Sequence, residues 1–203
     1  MTEQSNVHFF VNWAKERLDE MDAALASFDV KANEVKAESK VKADQLIEDL
    51  KKRRGEFAAS VKKQTEAGEA AWARAKADLE TQWNQFETQV QTYLEMIGRQ
   101  IEQQQATFKD LAAAQVKAWR EAADKFTVAA GKLATERRAD FDAALKQMKL
   151  DGSEAEARFQ KLRQAGTETW SALNAALDES RKAFDRANQA AWDAFKRAAP
   201  PHS

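Results

Sequence analysis

The sequence predicts an all-α protein whose long amphipathic helices form an elongated antiparallel coiled coil or helical hairpin bundle. Three observations support this prediction. The first 199 residues contain no proline, apolar residues recur at intervals of eleven, and the other positions are rich in Glu, Lys, Gln and Arg. Proline removes a backbone donor and clashes with the preceding helical turn, and it makes up about 5% of ordinary domains. Its absence over this length favours helix from near one end of the chain to the other.

The first predicted element, residues 1–150, is a long helical segment defined by the eleven-residue repeat. Eleven residues complete three turns at about 3.67 residues per turn, so the apolar stripe runs almost straight along the helix. Its constant phase predicts an uninterrupted helix between Val35 and Ile101, and a bend near 55–68, at Gly55 or Gly68, is the alternative. The main register of the repeat consists of Val35, Leu46, Phe57, Gly68, Leu79, Val90 and Ile101.

The stripe that this repeat forms is the predicted interface. A helix cannot bury an apolar stripe alone, so the stripe has to pack on the C-terminal helix, on a second copy of the chain or on another surface, or the chain has to bend near Gly68. We expect a homodimer or a larger homo-oligomer. The predicted interface residues are Leu46, Leu50, Phe57, Val61, Trp72, Leu79, Trp83, Phe86, Val90, Leu94, Ile97 and Ile101.

A turn is predicted after the long segment. Gly152 suits the left-handed conformation that ends many helices. Ser153 and Glu156 fit the capping box that begins the next helix. The predicted elements are therefore a turn at 151–153, a C-terminal helix at 154–198 and a tail at 199–203 that contains both prolines.

The residue types needed for catalysis or metal binding are scarce. Cysteine is absent, which excludes disulfides, thiolate metal sites and thiol catalysis. The two histidines, His8 and His202, lie near opposite ends of the chain and outside any metal-ligand spacing. The six glycines form no phosphate-binding loop. We therefore predict no enzyme activity, no catalytic residue, no metal site and no cofactor.

The charge of the chain bears on its partners. The 32 basic and 33 acidic residues nearly cancel, so we do not expect nucleic acid as a partner. The basic cluster at 51–54 is diluted by Glu48, Asp49 and Glu56, which is typical of a solvated helix face. Residues 1–5 lack the basic start of a signal peptide, and no apolar run approaches the roughly 18 residues of a membrane span. A cytoplasmic location is the expectation.

Short segments punctuated by Trp and Phe resemble a known group of proteins. The segments are 71–79, 168–173, 182–184 and 191–196. They resemble bacterial alanine-rich coiled-coil proteins of a stress-response family, whose members end in similar Trp-x-x-Leu and Trp-x-x-Phe helices. The resemblance implies a structural or protective role in a bacterial cytoplasm and no catalytic site.

The eleven-residue rhythm also resembles that of exchangeable apolipoproteins and of phasins, which coat bacterial polyester granules. That resemblance implies a peripheral coat on a membrane, lipid or granule surface. Two hypotheses follow. The first is a non-enzymatic elongated scaffold or stress-associated protein that self-associates along its stripe. The alternative is a coat protein whose stripe faces an apolar surface.

Overall fold

The computed structural model describes residues 8–31, 35, 37–67, 69–96, 101–166 and 169–199. Within these ranges the regular structure is helical and contains no strand, so the all-α prediction is confirmed. The helices are α1 Phe9–Lys31, α2 Ala37–Ala67, α3 Glu69–Met96, α4 Ile101–Ala130, α5 Ala139–Ala165 and α6 Trp170–Ala198, with a short 3₁₀ turn at Thr135–Arg137.

The uninterrupted helix predicted between Val35 and Ile101 is wrong. Helix α2 ends at Ala67 and α3 begins at Glu69, and these two helices pack against each other. The break falls between these two ends, where the alternative placed a bend at Gly68; Gly68 itself lies outside the described residues. The physical reason is that a single long helix leaves its apolar stripe in water, whereas two shorter helices bury it against each other.

The turn predicted at 151–153 is also wrong, because α5 continues through these residues to Ala165. The Ser153 hydroxyl donates to the Lys149 carbonyl within the helix, at 3.0 Å, and caps no new helix. The left-handed residue that ends α5 is Gly166, with φ of 66°, and its N–H bonds the Leu162 carbonyl at 3.4 Å. The following helix therefore begins at Trp170, sixteen residues later than the predicted start at 154.

The start and the end of α6 follow simple local rules. Thr169 precedes the helix in an extended conformation, and its side-chain oxygen accepts the N–H of Ala172 at 3.4 Å. This satisfies one of the backbone donors that a helix start leaves open. The helix ends at Ala198, two residues before the proline pair and at the predicted end of the C-terminal helix.

The described helices belong to two compact units. Unit one is formed by Met1–Glu16 and Ala112–Ser203, and unit two by Arg17–Leu111. Helices α1 and α4 therefore each contribute one part to each unit. The predicted interface residues that the structure describes all belong to unit two.

Unit one has a core rich in aromatic and alanine side chains. Phe141 of α5 meets Phe126 of α4 edge-on, with ring centroids 5.9 Å apart, and Phe195 of α6 at 5.8 Å. Trp119 of α4 packs edge-on against Phe184 of α6, at 5.2 Å. Small alanines between the rings let the helices approach closely. The aromatic and larger aliphatic residues of this core are Trp119, Phe126, Leu133, Phe141, Leu145, Met148, Phe184, Trp192 and Phe195.

Gly152 has a packing role in unit one. A methyl group added at its Cα would lie 3.3 Å from three carbons of Trp119, Cβ, Cδ2 and Cε3. A side chain at position 152 would therefore press on the tryptophan ring of α4. The residue that suggested a turn instead allows α5 to lie close to α4.

Two glycine-to-alanine substitutions test this assignment. Gly55 lies within α2 and is exposed, with no atom within 4 Å of an added methyl group. We expect Gly55→Ala to raise the free energy of unfolding by about 1 kcal/mol, through helix propensity alone. Gly152→Ala should raise the free energy of unfolding by less than this, or should lower it, because contact with Trp119 offsets the same gain in helix propensity.

Urea denaturation followed by circular dichroism measures both changes in the free energy of unfolding. Gly152→Val should destabilise further, by about 1–3 kcal/mol, since overpacking forces the ring or the backbone to move. An equal gain from Gly152→Ala and Gly55→Ala would contradict the close packing of α5 on α4.

Candidate functional site

The apolar stripe is the candidate functional surface, and the structure places most of it inside unit two. Leu46 and Val61 are half-buried, Ile101 at the start of α4 is 52% exposed, and Ile97 lies outside the described residues. The other predicted interface residues are buried within one chain: Leu50, Phe57, Trp72, Leu79, Trp83, Phe86, Val90 and Leu94.

Polar contacts fix how α2 and α3 lie along each other. The Arg53 guanidinium donates to the side-chain oxygens of Gln85, at 2.7 Å, and Gln89, at 2.9 Å. Arg53 lies fifteen residues before Gly68, and the two glutamines lie seventeen and twenty-one residues after it. The two helices therefore run antiparallel from a shared end. This brings the stripe on α2 to the stripe on α3.

Helix α1 covers another side of α2 within unit two. Arg54 forms two hydrogen bonds with the Asp22 carboxylate, at 2.7 and 2.8 Å, and this contact raises the pKa of Arg54 above its usual value. Lys51 lies 3.3 Å from Asp29. Because Asp22 precedes Asp29 while Arg54 follows Lys51, α1 and α2 are antiparallel. These surface ion pairs fix the register of α1 against α2 and add little to the free energy of unfolding.

Aromatic residues of unit two join α1 to α3. Phe28 and Tyr93 are both buried, with ring centroids 4.1 Å apart. The Arg17 guanidinium lies over the Trp83 ring, at 5.6 Å. Burial raises the pKa of Tyr93 above its usual value, because the charged phenolate is disfavoured away from water. The sequence does indicate that α1 contributes to this core. Its apolar residues lie three, four and three positions apart, which is helical spacing: Leu18, Met21, Leu25 and Phe28.

Helix α4 completes unit two. The hydroxyls of Ser27 in α1 and Thr107 in α4 lie 3.0 Å apart, and both residues are buried. Phe108, next to Thr107, is fully buried. Unit two thus contains parts of four helices. The Ser27–Thr107 contact joins α1 to α4, and the Phe28–Tyr93 contact joins α1 to α3.

A chain of polar side chains in unit one was not predicted. The Lys125 ammonium donates to the Asn12 amide oxygen at 3.1 Å, and the Asn12 amide donates to Asn188 at 3.1 Å. Asn188 in turn donates to the backbone carbonyl of Phe9 at 2.7 Å. These bonds tie α1, α4 and α6 together. Sequence periodicity treats asparagine as a surface residue, so it gave no signal for this network.

The histidine near the start of the chain has a structural setting. The Nδ1 atom of His8 accepts the N–H of Phe10 at 3.2 Å, just before α1 begins. Its ring lies 4.7 Å from the Trp192 ring of α6. Among the described residues, no group of three or more His, Asp or Glu side chains is placed to hold a metal ion.

Two grooves in unit one carry mixed charge. The larger, about 500 Å³, lies between α5 and α6 and contains the ion pair Arg158–Glu179 together with Glu154 and Lys182. The smaller, about 310 Å³, lies between α4 and α5 beside the ion pair Arg120–Glu156. Positive and negative groups are interleaved in each groove, so neither defines one class of charged ligand.

Comparison with known proteins adds no relative. No family model, no curated protein and no solved structure matches the chain. None of the described helices combines the length and the apolarity needed to cross a bilayer. The fold defines an all-helical protein, and its function has to be argued from the stripe.

A double substitution on α3 tests whether the stripe holds unit two together. Leu79 is 1% exposed and Val90 is 6% exposed, so Leu79→Asp with Val90→Asp places two carboxylates in the core of the unit. Each uncompensated buried charge costs about 3–5 kcal/mol. We expect a large loss of helical circular dichroism and a lower urea midpoint.

Val41→Asp is the matched control, because Val41 lies on the same stripe-bearing hairpin, in α2, but is 78% exposed. It should change the free energy of unfolding by no more than about 0.5 kcal/mol. Unchanged helicity and midpoint in the double variant would show that the stripe is not the core of unit two.

Proposed function

We propose that this protein is a non-enzymatic helical scaffold or stress-associated protein that acts by associating with further copies of itself along the apolar stripe. The observation behind the proposal is the phase of the stripe across the junction of α2 and α3. Phe57 in α2, Gly68 at the junction and Leu79 in α3 lie eleven residues apart. The same spacing relates apolar residues within each helix.

A hairpin alone does not require this phase. When a turn separates two helices, the geometry of that turn sets how the second helix is rotated about its own axis. The two apolar faces can then meet without keeping the spacing by eleven that a continuous helix requires. Spacing by eleven keeps residues on one line only where the helix continues, since eleven residues complete three turns. The retained phase therefore supports a second arrangement, in which α2 and α3 extend as one helix along a partner.

The elongated antiparallel coiled-coil geometry belongs to this second arrangement. In that state the stripe lies along one side of a long helix and requires another helix to cover it. A second copy of the chain supplies a matching stripe. The resemblance of the Trp- and Phe-punctuated segments to a bacterial stress-response family agrees with a structural role of this kind.

In the alternative function, a coat on a membrane, lipid or polyester-granule surface, the same stripe contacts that surface and not a second helix. The stripe occupies about three positions in eleven, whereas helices that lie on lipid have a wider apolar face. The narrow stripe favours a helix as the partner. We therefore propose self-association as the function and treat surface binding as an outcome of its test.

Sedimentation equilibrium over a wide range of protein concentration tests the proposal. We expect the mass to rise from the 22.8 kDa of one chain to a multiple of it as the concentration increases. A single-chain mass at every concentration would refute self-association. Flotation of such a single chain with phosphatidylcholine–phosphatidylglycerol vesicles would support the coat function instead.

A further inference from the structure

We infer that two copies associate by exchanging helices at Gly68, an inference that rests on the proposed self-association. In the exchanged dimer, α1 and α2 of one copy pack on α3 and α4 of the second copy within unit two. Each chain then continues from α2 into α3 as one helix, whereas in the single chain α3 packs on α2. The partner is therefore a second copy of this chain, and the surface is the stripe already buried in the monomer.

The connection between α2 and α3 is very short. Only residue 68 separates the end of α2 at Ala67 from the start of α3 at Glu69. Helix–helix connections in bundles usually contain about 2–8 residues. A connection this short gives the folded-back chain little freedom, and short hinges of this kind favour exchange between copies.

The register of the hairpin formed by α2 and α3 is compatible with exchange. Since Arg53 lies opposite Gln85 and Gln89, positions whose numbers sum to about 140 lie at the same level. This pairs each stripe position on α2 with a stripe position on α3: 46 with 94, 50 with 90, 57 with 83 and 61 with 79. In an exchanged dimer every such pair re-forms between copies, so the packing of unit two is kept.

The sequence around the junction of α2 and α3 favours helix. Apart from Gly68, residues 66–71 are glutamate and alanine, which are good helix formers. A continuous helix over 37–96 contains 60 residues and is about 90 Å long. The constant phase of the stripe through Gly68 keeps its apolar residues on one side over that length.

The protein concentration determines whether the single chain or the exchanged dimer is populated. Exchange preserves the contacts of unit two, so the two states differ mainly in the hinge and in the entropy of bringing two chains together. Folding back is favoured at low concentration, because the tethered helix has a high effective concentration. Exchange also requires α2 and α3 to separate first, so it should be slow.

Two pairs of contacts distinguish exchange from every other dimer. The pair Arg53 and Gln85 joins α2 to α3, across the hinge, and becomes a contact between copies after exchange. The pair Asp22 and Arg54 joins α1 to α2, on one side of the hinge, and stays within one copy. The chain has no cysteine, so thiols introduced at these positions are the only ones present.

The test is cross-linking in dimers mixed from isotopically heavy and light chains. One variant carries Arg53→Cys with Gln85→Cys, and the control carries Asp22→Cys with Arg54→Cys. Heavy and light protein are mixed, incubated at high concentration, treated with a short bismaleimide and digested for mass spectrometry. Exchange gives heavy–light cross-linked peptides for the 53–85 pair and only same-chain peptides for the 22–54 pair.

Variants at the hinge give an independent measurement. Gly68→Ala should strengthen dimerisation about fivefold per hinge, or about twenty-fivefold for the two hinges of a dimer, because alanine favours the continuous helix. Insertion of five Gly/Ser residues after Gly68 should weaken dimerisation, since a longer connection relaxes the folded-back chain. Gly55→Ala, the same substitution inside α2, should leave the dimerisation constant unchanged.

Each result has a distinct meaning. Self-association with only same-chain 53–85 peptides, or with equal effects of Gly68→Ala and Gly55→Ala, would overturn exchange and leave self-association through another surface. A single-chain mass at every concentration would overturn both exchange and the proposed function. Loss of folding in the cysteine variants would show in circular dichroism, and the hinge variants would then decide the question without them.

Discussion

The need to cover a narrow apolar stripe is the constraint on which unit two depends. Helices α2 and α3 each carry large apolar side chains on one face, and neither face is stable in water alone. The chain satisfies the constraint internally, since Leu50, Phe57, Leu79 and Phe86 are buried when the two helices pack. Arginine–glutamine and arginine–aspartate contacts on the flanks then fix the register of α3 and α1 against α2.

The sequence was sufficient for the helical class and for most of the stripe, because proline exclusion and periodicity act along the whole chain. It was misleading about where helices end. Ser153 and Glu156 fit a capping box and Gly152 fits a helix end, yet α5 continues through them. Gly152 instead lies where an added side chain would press on Trp119, thirty-three positions away, and local patterns contain no information on such contacts.

The same limit applies to the polar contacts. The Asn12–Asn188 bond and the Ser27–Thr107 bond each join residues far apart in the chain, so no local pattern marks them as buried. The break between α2 and α3 was named only as an alternative, because the phase of the stripe continues through Gly68. A hairpin does not need this continuity of phase, whereas one extended helix does. We therefore connect the continuous phase with association between copies.

The distance between α2 and α3 within one chain tests this account most directly. Lys52 and Asn84 are exposed, so spin labels at these positions, in labelled chains diluted with unlabelled protein, report that distance by pulsed electron resonance. We expect a short separation in the single-chain fraction, where helix axes lie about 10 Å apart. In the associated fraction we expect about 48 Å, along one continuous helix. A short separation in both fractions would rule out association through a continuous helix.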